Sequence, residues 1–87
     1  MGRIEIASIE AGLPGEANSA EVFFQLGILY STGSSVPTDF VTAHKWFNLA
    51  AMQGSREAVR LRREIAEQMS EAEISAAQRA ARAWLKH

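Results

Sequence analysis

Two histidines, a pair of serines, a pair of glutamates and a run of arginines are the residues of this 87-residue chain whose types could do chemistry. His44 and His87 are far apart in sequence. No carboxylate or second histidine lies one helical turn from His44, so neither a metal-ligand set nor an acid–base pair is spelled out there. It reads as a satisfied or exposed histidine beside an apolar helix face. Ser34-Ser35 has no base near it, and turn chemistry accounts for both hydroxyls. Glu71 and Glu73 open a helix, where acids complement the dipole. Arg60, Arg62 and Arg63 carry no interleaved aromatics, so they read as a solvated face rather than a nucleic-acid surface. Phosphate-loop, H-E-x-x-H, G-x-S-x-G and calcium-loop patterns are absent from the sequence. The expectation is a non-enzymatic protein with no catalytic residue, cofactor or metal.

The elements that position these residues are helices. The stretch from Ala20 to Gly54 holds six of the seven aromatic residues, Phe23, Phe24, Tyr30, Phe40, Trp46 and Phe47, and so marks where the core must lie. Asn18, with Glu21 three residues later, looks like a capping-box start for a first helix. There Val22, Phe23, Leu26 and Tyr30 share one face, Phe24 and Ile28 point nearly opposite, and Leu29 lies to the side. A helix apolar almost all round is expected to be sandwiched by neighbours. Gly27 leaves room for a close helix approach, and Gly33 suits a left-handed C′ residue. Thr38 or Asp39 caps a second helix whose apolar face is Phe40, Ala43, Trp46, Phe47, Ala50 and Ala51. Val41, Lys45, Asn48 and Met52 fall on its far side.

Gly54 stops that helix and Ser55 caps a third. In it Ala58, Leu61, Ile65 and Met69 recur at steps of three and four residues, and the spacing pairs Arg60 with Glu64 and Arg63 with Glu67. Ser70 and Glu73 form a capping box for a fourth helix with a stripe of Ile74, Ala77, Ala81, Trp84 and Leu85. Residues 1–16 fit either a short helix or a docked extended arm. The fold expected is all-α: four main helices in antiparallel hairpins, one domain over residues 1–87.

Composition narrows the class further. A hydrophobic content of 47% argues for a folded chain rather than a disordered one. With no cysteine, disulfides and thiolate sites are excluded, which fits a reducing compartment. MGRIEIASIE lacks a long apolar run, so neither a signal peptide nor a membrane span is expected, and the location expected is cytoplasmic. A net charge of −1 predicts no strong pull on nucleic acid or membrane. Residues 1–54 carry two basic side chains against five acidic; residues 55–87 carry seven against five. Solvated helix faces explain that mild asymmetry.

Leu26-Gly27, Tyr30, Gly33, Val36-Pro37, Asp39, Ala43, Trp46-Phe47, Ala50-Ala51 and Gly54 together resemble a Sel-1-like repeat. That family is related to the tetratricopeptide repeats, is frequent in bacteria, and builds α/α solenoids that scaffold protein complexes. The resemblance covers one full repeat, residues 20–54. Ser35 departs from it, since a glycine is usual there. Thirty-six residues on, Leu26-Gly27 becomes Arg62-Arg63 and Tyr30 becomes Ala66, so residues 55–87 look like a degenerate repeat closed by a capping helix. One repeat and a cap is short, because about three stacked units are usual.

The resemblance implies a short solenoid that binds a peptide or helix of another protein. The groove residues expected are those on the first and third helices that the core leaves unclaimed: Gln25, Leu29, Thr32, Arg62 and Glu64. The alternative is self-association, with a homodimer covering Phe24, Ile28, Val41 or the N-terminal arm.

Overall fold

The computed structural model describes residues 19–86, so the expectation for residues 1–16 lies outside the described residues, as does His87. Four α-helices follow in order: α1 over Ala20–Thr32, α2 over Phe40–Met52, α3 over Arg56–Ala66 and α4 over Glu71–Leu85.

Each helix starts where a short polar side chain can take over an orphan backbone donor. Ser19, not Asn18, caps α1, its hydroxyl accepting from the Val22 amide at 3.3 Å. A capping side chain reaches the amide three residues on, so the cap slides one residue with the helix start. Asp39 caps α2 through the Thr42 amide, and its second oxygen accepts from the Thr42 hydroxyl at 2.7 Å. Ser55 caps α3, and Ser70 with Glu73 forms the complete reciprocal box at α4.

The α1–α2 turn depends on one left-handed residue. Gly33 sits at φ 70° and returns its amide to the Leu29 carbonyl, and the Asp39 amide then closes onto the Tyr30 carbonyl at 2.9 Å. Ser35 keeps a negative φ, so the glycine usual in the resembled repeat is not required there.

Helix α2 is the centre of the molecule. It packs against α1, α3 and α4, whereas α1 touches α3 only lightly. Its buried residues run round the cylinder: Ala43, His44, Trp46, Phe47, Leu49 and Ala50. The sandwiched helix is therefore α2 rather than α1, and His44 and Leu49 join the face expected from the sequence. Gly27 of α1 lies directly against Phe47; a Cβ there would overlap the ring. On the other side, the Phe23 ring stacks on Trp46 at 5.6 Å, and Trp84 of α4 meets Trp46 edge-on at 4.9 Å and Phe23 at 6.3 Å. These three rings fasten α1, α2 and α4 together.

The second half differs from a simple hairpin array. Helices α3 and α4 are neighbours in the chain, yet each packs on α2 and they make little contact with one another. Ala58 and Ile65 bury the inner side of α3, with Leu61 and Met69 half-buried beside them. In α4 the stripe holds at Ala77 and Ala81 but not at Leu85, which is 54% exposed. It is the last residue of α4. Across the described residues the protein is all-helical, and no helix is long and apolar enough to cross a membrane.

Candidate functional site

The five residues expected to line a groove part company. Gln25 is exposed on α1. Thr32, at the end of the same helix, is exposed, but its hydroxyl donates back to the Ile28 carbonyl at 2.8 Å and lies 2.6 Å from the Ser34 hydroxyl. Glu64 is exposed on α3 and accepts from Arg60 at 2.9 Å. Leu29, by contrast, is 6% exposed and belongs to the core. Its place to the side of α1 is a buried one because α2 packs across that side as well.

Arg62 points elsewhere too. It is half-buried, and its Nη1 donates to Asn48 Oδ1 of α2 at 2.6 Å. On the other side of that amide, Asn48 Nδ2 lies 3.1 Å from His44 Nδ1. Asn48, expected on the far side of α2, thus sits in the α2–α3 seam, since α3 covers that side. His44 is 3% exposed, and burial, followed by the nearby Arg62 charge, holds its pKa below the ordinary value. The i,i+4 spacing of His44 and Asn48 was legible in the sequence. Their link to Arg62 was not, because it depends on how α3 crosses α2.

The remaining polar residues serve the helices. Arg60 pairs with Glu57 as well as Glu64, while Arg63 and Glu67 form no such bridge. Glu67 is the C-cap of α3, which ends at Ala66. Glu73 accepts from the Ser70 amide at 2.8 Å, the structural use expected of it. Lys45 lies 4.1 Å from the Trp46 ring centroid and 5.3 Å from that of Trp84, within cation–π range of both. Among the described residues no three His, Asp or Glu side chains gather as a metal site.

No protein-family model, curated protein or solved structure matches the chain. The likeness to Sel-1-like repeats rests on the sequence positions quoted for it.

Proposed function

We propose that this chain is a short helical-repeat module of the Sel-1-like kind that works by binding another protein, a peptide or a helix, without catalysis. One observation carries the reading: Gln25 and Thr32 on α1 and Glu64 on α3 are exposed on two helices that meet only lightly and are each packed on α2. Side chains on such a pair of helices are free to contact a partner without disturbing the core. Leu29 leaves the proposed contact set, and Arg62 stands at its margin because it is bound to Asn48. The packing of the Gly27–Phe47 contact and of Trp46 between α1 and α4 suits a repeat hairpin followed by a cap.

Affinity capture with the full chain and with Gln25→Arg and Glu64→Arg variants tests this. A protein held by the parent chain and released by both folded variants supports it; identical capture by all three overturns it.

Self-association is the second reading, and the exposure of Met52 and Leu85 favours it. Sedimentation across a concentration series separates the two, because a strict monomer at high micromolar concentration excludes the homodimer.

A further inference from the structure

Helices α2 and α3 are joined by a chain of three polar side chains, His44, Asn48 and Arg62, set in an otherwise apolar seam. Donor and acceptor roles in that chain are fixed from one end. Arg62 has donors only, so the Asn48 atom facing it at 2.6 Å must be the carbonyl oxygen. The Asn48 amide nitrogen then faces His44, and since it too can only donate, His44 Nδ1 must accept. The neutral ring therefore carries its proton on Nε2.

Adding a proton to Nδ1 leaves no satisfactory arrangement. An Nδ1–H would confront the Asn48 NH2, donor against donor. Flipping the Asn48 amide would repair that joint but turn the NH2 against the Arg62 guanidinium. Either the His44–Asn48 joint or the Asn48–Arg62 joint must open. The new positive charge would also stand buried, in the field of the Arg62 cation. Burial and Arg62 are the influences on His44 among the described residues: no anion offsets them, neither Asp39 at the start of α2, nor Glu57, Glu64 and Glu67 of α3, nor Glu21 of α1, nor Glu71 and Glu73 of α4, and the other cations of α3 and α4 (Arg56, Arg60, Arg63, Arg79, Arg82 and Lys86) do not add to them. Lys45, the next residue on α2, lies over the Trp46 and Trp84 rings.

We propose that His44, Asn48 and Arg62 form a proton-sensitive latch: a neutral His44 keeps the Asn48 oxygen on Arg62 and so ties α3 to α2, and protonation of His44 draws that oxygen to the new Nδ1–H and loosens the tie. The inference stands apart from the partner-binding reading and needs no partner.

The test uses the whole chain labelled with nitrogen-15. At neutral pH the ring signals should show Nδ1 unprotonated and Nε2 protonated, with the titration midpoint below 6.5. Over the same titration, amide exchange in α3, corrected for its intrinsic pH dependence, should rise severalfold while that of α2 stays protected. The variant Asn48→Asp supplies an acceptor to both neighbours, so it should hold a protonated His44 and raise its midpoint above 6.5. In a His44→Gln variant the pH dependence of α3 exchange should vanish. Should that variant fail to fold, the parent chain and Asn48→Asp decide the matter. A proton on Nδ1 at neutral pH, α3 exchange indifferent to the His44 titration, or Asn48→Asp titrating like the parent would each overturn the latch.

Discussion

Gly27 of α1 rests against the Phe47 ring, with no room for even a methyl group between them. Phe47 is fully buried, so its ring has nowhere to retreat. The Gly27→Ala substitution gains about 1 kcal/mol of helix propensity, but overpacking costs typically about 1–3 kcal/mol. The net expectation is a loss of stability. Urea unfolding checks it, and the double variant Gly27→Ala/Phe47→Leu should recover part of the loss because the smaller side chain makes space.

Trp46 is the larger test of the core. Trp46→Ala should cost about 3–5 kcal/mol, as emptying a buried aromatic site usually does. Its indole N–H is buried without a hydrogen-bond partner among the described residues, so Trp46→Phe removes an unsatisfied donor together with part of the ring. Thermal melts should therefore rank the phenylalanine variant much closer to the parent than the alanine one.

Removing residues 71–87 should uncover α2 and α1 rather than α3. Trp84 covers Trp46 and Phe23, whereas α4 leaves the Ala58–Ile65 side of α3 nearly untouched. A truncated chain should aggregate or lose helicity, and its tryptophan emission should shift red as Trp46 meets water. A truncation that stays cooperative and blue-emitting would show that α4 is dispensable.

Acid should weaken the fold through His44. Its folded-state pKa lies below the ordinary value of 6.5, so the unfolded chain takes up the proton first. Stability is then full above about pH 6.5 and is lost as pH falls from there through the folded-state pKa. Denaturant midpoints measured on both sides of this window should fall in the parent chain, and fall less in His44→Gln.

The helices and their limits were legible because local rules set them. Ser55, Ser70–Glu73, Gly33 and Asp39 each act on atoms within a few residues, and Ser19 displaces Asn18 by a single position. Which helix stands at the centre was not legible. The apolar breadth of α1 and of α2 looks similar in sequence, and only the crossing of α3 and α4 over α2 decides between them. The packing of α2 across α1 buries Leu29, and the crossing of α3 over α2 moves Asn48 into a seam and occupies Arg62, so the groove residues were the least readable part. Leu29→Asp, which the sequence alone casts as a binding variant, should now unfold the protein, while Gln25→Arg should not.

The central place of α2 also shapes how the chain reaches its fold. Helices α1 and α3 flank α2 directly in sequence, so their docking closes only short loops, while α4 must return across the length of α3 to reach Trp46. Short closures come first on entropic grounds. The transition state is accordingly expected to contain the α1–α2 hairpin, with α4 added afterwards. Trp84→Ala should then leave the folding rate nearly unchanged and accelerate unfolding, whereas Phe47→Leu should slow folding itself. Stopped-flow chevrons for the two variants separate these behaviours: a slowed folding limb for Trp84→Ala would place α4 in the nucleus.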